Sequence, residues 1–257
     1  AGSDLEPCPA WGDCRLQELA WRYAVTGGRF SPTPPRYPIE DVNPFIVRDF
    51  ARCILCGRCV QACNEVQVNQ AIYQGFRGAR SKIVAAGDRP YRDSDCVFCG
   101  ECVQACPTGA LVEKDVRHRV RPWETRRVRT TCSYCGVGCQ QELHVKDNRV
   151  VQVTGVEDVP PNFGSLCVKG RFGFDFVASP ERLTRPLIRE NGVLREASWN
   201  EALDRGARRL SEVKAGSGSD SIGVLTSARI TNEENYIAQK FTRAVLQTNN
   251  IDHCARL

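Results

Sequence analysis

Two stretches of the chain place thiols where they can act together. CILCGRCVQAC carries Cys53, Cys56, Cys59 and Cys63, and forty-three residues further on CVFCGECVQAC repeats the pattern with Cys96, Cys99, Cys102 and Cys106. A third group, Cys132, Cys135 and Cys139, lies in CSYCGVGC, and Cys167 follows after a long gap. Clustered thiols do one of three things: they cross-link, bind zinc, or hold iron–sulfur clusters. A disulfide framework fits poorly. Such frameworks belong to small secreted domains without a core, whereas this chain has 257 residues, is 42% hydrophobic, and gathers eleven of its fifteen cysteines into three tight groups. Zinc prefers two well-separated C-x2-C pairs, unlike the first two groups.

Three cysteines at strict x2 spacing, with a fourth after x3, match the bacterial ferredoxin run C-x2-C-x2-C-x3-C-P. Three thiolates on so tight a loop can wrap three corners of an iron–sulfur cube, but the loop cannot bend to the fourth. The resemblance to two-cluster ferredoxins implies that each fourth cysteine serves the other cluster: Cys53, Cys56, Cys59 and Cys106 for one, Cys63, Cys96, Cys99 and Cys102 for the other. Pro107 completes the motif after Cys106, whereas Asn64 follows Cys63. Gly57 and Gly100 read either as sites of close backbone approach to a cluster or as ordinary turn residues. CPTGAL, 106–111, reads as an exit turn into a short strand.

The third group breaks the ferredoxin rhythm with its x3 gap, and taken alone it leaves structural zinc open. GSLCVKGRFGFDFVASPERLTRPLIR, 164–189, resembles the segment that closes the proximal [4Fe-4S] cluster in molybdenum or tungsten bis-pterin oxidoreductases. TNEENYIAQKFTRAVLQTNNIDHCARL, 231–257, is similar to formate dehydrogenase catalytic subunits. The resemblance covers about residues 45–257. It implies a third cluster on Cys132, Cys135, Cys139 and Cys167, and a Lys169 that lies between that cluster and the pterin and serves electron transfer. It further implies a Mo or W bis-pterin guanine dinucleotide cofactor, interconversion of formate and CO2, and electrons leaving through the proximal cluster and then the ferredoxin pair. The expected partner is an electron-accepting subunit, flavin/NAD-linked or a hydrogenase or ferredoxin. Another bis-pterin oxidoreductase, such as an assimilatory nitrate reductase, and a non-catalytic multi-cluster electron carrier are the alternatives. In the family the metal-ligating cysteine or selenocysteine is expected beyond a segment like the one ending at Leu257, so residues 1–257 alone are expected not to turn over formate. Cys8-x5-Cys14 resembles the end of a longer His/Cys cluster motif whose earlier ligands are absent here, and no cluster is expected there.

These ligand groups require elements to hold them. Residues 1–44 read as a helix over CRLQELAWRYA and a proline-rich linker, which can be neither helix nor central strand. Residues 45–127 read as a two-[4Fe-4S] ferredoxin-like domain, with QAIYQGFRGARSKIVAAGDRP inserted between the repeats and long enough for strands and a short helix. Residues 128–197 read as the proximal [4Fe-4S] domain, where QELHVKDNRVVQVTGVE alternates around Asp147-Asn148 as a β-hairpin does. Residues 198–257 read as the beginning of an α/β catalytic domain. They comprise a helix capped by Ser198 or Asn200, a short buried strand SIGVLTS, a helix over TNEENYIAQKFTRAVLQ and a strand at NIDHC. The expected fold class is therefore α+β multi-domain: a ferredoxin-like module, a small β-rich cluster module, and an incomplete α/β domain whose apolar faces further strands must cover.

Charge adds less. Thirty-five Lys and Arg against thirty Asp and Glu give +5, which suits an acidic partner or anionic cofactor. No aromatic-interleaved basic stripe points to nucleic acid, so RHRVRPWETRRVR, 117–129, reads as a solvated linker. No apolar run is long enough for a membrane span, and no signal peptide is visible. Ligation needs free thiolates, which favours the reducing cytoplasm. The isolated Cys254 reads as a small buried hydrophobe.

Overall fold

The computed structural model describes residues 10, 13–25, 27, 37–117 and 119–254. The chain forms two compact units, one of Ala1–Cys132 with Cys139–Asp175, the other of Ser133–Gly138 with Phe176–Leu257. Both are mixed α and β, built on small sheets. Cys8 and most of the proline-rich linker lie outside the described residues.

In the first unit, helix α1 (Arg15–Arg22) is followed by strand β1 (Ile46–Arg48), which pairs antiparallel with β4 (Leu111–Glu113), Ile46 facing Glu113. Between them run the short helix α2 (Arg58–Gln61), the hairpin β2 (Ile72–Gly75) and β3 (Lys82–Ala85), and the short helix α3 (Glu101–Ala105). Ile46, Ile72, Ile83, Ala85, Tyr91 and Leu111 form one core with Cys59, Cys63 and Cys102, so the thiols sit inside the apolar cluster rather than on its rim. The second hairpin, β6 (Gln140–Lys146) and β7 (Arg149–Gly155), turns at Asp147 and Asn148, both at positive φ (49° and 58°), the conformation a two-residue hairpin loop requires and one that these residues tolerate. Strand β5 (Arg126–Thr131) adds to its edge, antiparallel to β6. This corrects the solvated-linker reading of 117–129. Its end is an edge strand whose arginines face solvent while the backbone is paired, and charged side chains are a common way to shield such an edge.

The second unit begins with the hairpin β8 (Leu187–Glu190) and β9 (Val193–Glu196), turned by Asn191-Gly192 at positive φ. Ser198 caps helix α5 (Trp199–Ser217), its Oγ accepting from the Glu201 N–H at 3.2 Å. Strand β10 (Val224–Thr226) pairs in parallel with β11 (Ile251–His253), and helix α6 (Asn232–Phe241) is the crossover. Strand β10 is not buried as its apolar sequence implied: Leu225 is 88% exposed, because a two-stranded sheet with one helix leaves a face uncovered. Cys254 is likewise exposed, contrary to the buried-hydrophobe reading.

Candidate metal centres

The two ferredoxin-type loops share a backbone plan. Leu55 and Phe98, each two residues after its first cysteine, take φ of 55° and 53°, and Gly57 and Gly100 both take φ of 76°. Left-handed backbone at these points turns amide hydrogens inward toward sulfur. The Leu55 N–H donates to Cys53 Sγ at 3.4 Å, and the Phe98 N–H plays the same part for Cys96. Each glycine then opens a short helix carrying the third thiol, Cys59 in α2 and Cys102 in α3.

The loops diverge at the fourth cysteine, for a local reason. Cys106 precedes Pro107, which disfavours helical backbone in the residue before it, so α3 stops and Cys106 is extended (φ −72°, ψ 120°). Asn64 imposes no such stop, and Cys63 lies within a wider helical turn, Ala62–Val66, that continues α2. The structure brings Cys53, Cys56, Cys59 and Cys106 to one cavity, closed by Pro107, Thr108 and Leu111. Cys63 acts on Cys96 and Cys99. Cys106 thus stands with the thiols of the first repeat, while the charge of Cys63 is felt by Cys96 and Cys99 of the second.

Burial, the neighbouring thiols Cys53, Cys106 and Cys56, and little compensation push Cys59 up to about 12. Burial also raises Cys53, Cys96 and Cys99, and holds Cys102 well above the usual thiol range. Thiols this far from water stay protonated unless a cation replaces the lost hydration, and soft metal ions do so. The thiols of Cys53, Cys56, Cys59 and Cys106 line one cavity. All-sulfur donors, backbone N–H groups aimed at them and a gap between them fit a four-iron cluster.

In the third group, the Cys132 N–H donates to the Cys139 carbonyl at 2.8 Å. Helix α4 (Val168–Phe172), which Cys167 opens, passes close to Cys132: a Cβ on the buried Gly170 would stand 3.6 Å from its Sγ. Cys135 belongs to the second unit, where its carbonyl accepts from Gly138 N–H at 3.4 Å. Lys169 is exposed on α4.

Several residues that sequence reading did not single out shape the first unit. Arg171 on α4 is fully buried, and its Nε–H donates to the Cys99 carbonyl at 2.8 Å and its Nη1 to Gln104 Oε1 at 2.9 Å. Gln104 Oε1 also accepts from the Gly155 N–H at 3.2 Å, tying α3, α4 and β7 together. Phe172 stacks on Phe45 with centroids 4.8 Å apart, and Phe98 meets Phe45 edge-on. Glu113 and His144 face a polar cavity of about 210 Å³ that Arg117, Arg127 and Arg171 also line. Burial raises Glu113 to about 7, against the Arg171 charge and a hydrogen bond from Gln152 at 3.1 Å. His144 is lowered by burial, then by Arg127. No signal in the sequence pointed to Arg171, whose partner Cys99 is 72 residues away.

Loops and thiols of this kind define an iron–sulfur protein, and comparison with known proteins refines the class. Residues 52–110 match the 4Fe-4S dicluster domain, 125–179 the molybdopterin oxidoreductase Fe4S4 domain, and 182–257 the molybdopterin oxidoreductase family itself. A Bacillus subtilis (strain 168) protein named "Putative formate dehydrogenase YrhE" is 37% identical over 286 residues, covering 95% of this chain and 29% of its own. A Staphylococcus aureus (strain USA300) protein with the same description is 31% identical, again over 95% of this chain and 29% of its own. A solved NAD+-reducing [NiFe]-hydrogenase in the H2-reduced state aligns over 44% of this chain and 49% of that one, at 33% identity and a TM-score of 0.40. The chain belongs to the molybdopterin oxidoreductases, as an N-terminal part of their catalytic subunit. It carries a 4Fe-4S dicluster domain and a molybdopterin oxidoreductase Fe4S4 domain, and it spans 29% of the length of the curated relatives just described. No helix among the described residues is long and apolar enough to cross a membrane.

Proposed function

We propose that this chain is the electron-relay portion of a formate dehydrogenase catalytic subunit, which interconverts formate and CO2 and moves electrons through three [4Fe-4S] clusters. Cys53, Cys56, Cys59 and Cys106 hold the first, Cys63, Cys96, Cys99 and Cys102 the second, and Cys132, Cys135, Cys139 and Cys167 the third. The observation that carries this reading is the exchange of fourth thiols: the Cys106 sulfur in the cavity of the first loop, and Cys63 acting on the second. The names of the relatives support formate as substrate.

On this reading the chain divides into 1–44, the ferredoxin-like 45–127, the proximal-cluster domain 128–197, and the catalytic α/β domain that starts at 198. A Mo or W bis-pterin guanine dinucleotide supplies the two-electron chemistry. The chain's own residues do the rest: burial excludes water from Cys59, Cys63 and Cys102, the Leu55 and Phe98 N–H groups favour the charged forms of Cys53 and Cys96, and the Lys169 ammonium steadies negative charge between the third cluster and the pterin. A flavin/NAD-linked, hydrogenase or ferredoxin partner takes the electrons, and the free thiolates suit the cytoplasm.

The test is metal and sulfide analysis of the whole enzyme. About twelve irons should be found for this chain, from four per cluster, with molybdenum or tungsten present and the clusters reduced on adding formate. Zinc in place of iron would reject the clusters, and clusters that formate leaves oxidised would reject the substrate.

A further inference from the structure

The two ferredoxin-type loops match in backbone but not in what crosses them. A Cβ built on Gly57 meets nothing within 4 Å, whereas one on Gly100 would stand 2.2 Å from Cδ and 2.6 Å from Nε of Arg171. The missing side chain of Gly100 is therefore the slot through which Arg171 reaches the second loop and donates to the Cys99 carbonyl. The guanidinium is only partly compensated. Its Nη2 has no hydrogen-bond partner, and the nearest carboxylate, Glu101 Oε2, lies 3.6 Å away, beyond hydrogen-bond reach. Arg48, the other buried guanidinium near the thiols, donates directly to the Glu40 carboxylate, a closer pairing than that of Arg171 with Glu101. At the position matching Glu101 the first loop has Arg58, which is exposed.

A buried, incompletely paired cation is costly in a low-dielectric interior unless negative charge develops beside it. A four-iron cluster held by four thiolates gains one negative charge on reduction, and nearby charge and hydrogen bonding are levers on its potential. We propose that Arg171 is a positioning residue that sets the charge around the second ferredoxin cluster, making the cluster on Cys63, Cys96, Cys99 and Cys102 easier to reduce than its twin on Cys53, Cys56, Cys59 and Cys106. The assignment rests on the cluster ligation given under Proposed function. It concerns a one-electron equilibrium, with the electron supplied by dithionite through mediators in the measurement below.

The test is a mediated redox titration of the whole enzyme, followed by electron paramagnetic resonance. Arg171→Gln should make reduction of one cluster about tenfold less favourable, a downward shift of about 59 mV for a one-electron couple, with the other clusters unmoved. Arg171→Lys, which keeps the charge, should restore most of the shift, a recovery that a purely structural role would not produce. Glu101→Gln removes the opposing charge and should move the same cluster upward. If Arg171→Gln loses iron, the Glu101→Gln shift decides alone. Too few cluster signals in the unaltered enzyme would overturn the ligation, and this inference with it. A full set that neither substitution shifts would overturn the role of Arg171 and leave the ligation standing.

Discussion

Arg48 lays its guanidinium 4.0 Å from the centre of the Tyr91 ring, and both side chains are buried. Glu40 closes the arrangement, pairing with that guanidinium while its Oε1 accepts from the Tyr91 N–H at 3.1 Å. Removing one member strands the other charge in the core, at a cost of roughly 3–5 kcal/mol for a well-buried pair. Glu40→Gln should therefore lower the stability of the first unit by about 3 kcal/mol, and adding Arg48→Met should cost less than the sum of the two single changes. Denaturant unfolding of all three variants checks this; strict additivity would show that the pair is not coupled.

Gly57 and Gly100 provide an internal control for backbone strain. Both need φ of 76°, which costs a residue with a Cβ about 1 kcal/mol or more. At Gly57 that strain is the whole effect, whereas at Gly100 the new methyl group also displaces Arg171. Gly100→Ala should lower the thermal midpoint clearly more than Gly57→Ala. Equal losses would mean that Arg171 moves aside without cost.

Glu113 should make stability pH-dependent. Burial raises its folded pKa to about 7, above its value in the unfolded chain, so the folded state binds the proton more tightly. This contribution favours folding at low pH and is lost as pH rises from the ordinary carboxylate range through about 7. At about 1.4 kcal/mol per pKa unit the full change is about 3 kcal/mol. Glu113→Gln should flatten the dependence, as urea midpoints at pH 5 and pH 8 would reveal; an unchanged slope would assign it to other groups.

Lys169 should matter to turnover and not to assembly. It is exposed on α4, so Lys169→Ala should leave the iron content of the whole enzyme unchanged while slowing formate oxidation sharply. Full activity in that variant would remove Lys169 from the electron path.

Thr231 and Glu234 form a capping box on α6, with Thr231 Oγ accepting from the Glu234 N–H at 3.2 Å and Glu234 Oε2 from the Thr231 N–H at 2.7 Å. Thr231→Ala should cost about 1 kcal/mol, with faster amide exchange confined to the first turn of α6. Exchange spread across the unit would point to a wider role.

Much of the local structure was legible because its causes are local. Asp147-Asn148 accepts the positive φ that a two-residue hairpin needs, Ser198 can satisfy a free amide at a helix start, and Pro107 forces Cys106 out of helix. Cysteine spacing alone says which thiols share a loop. The rest depended on partners distant in the chain. The basic run ending at Arg129 becomes strand β5 because β6 offers it an edge, and strand formation follows from pairing more than from composition. Leu225 looks like a core residue and is exposed because burial requires a covering layer that an apolar sequence cannot provide for itself. Arg171 meets Cys99 across 72 residues through a gap left by Gly100. An arginine in sequence reads as a surface charge; only packing, which fixes what lies within a few ångströms, made it a buried donor beside a candidate metal centre.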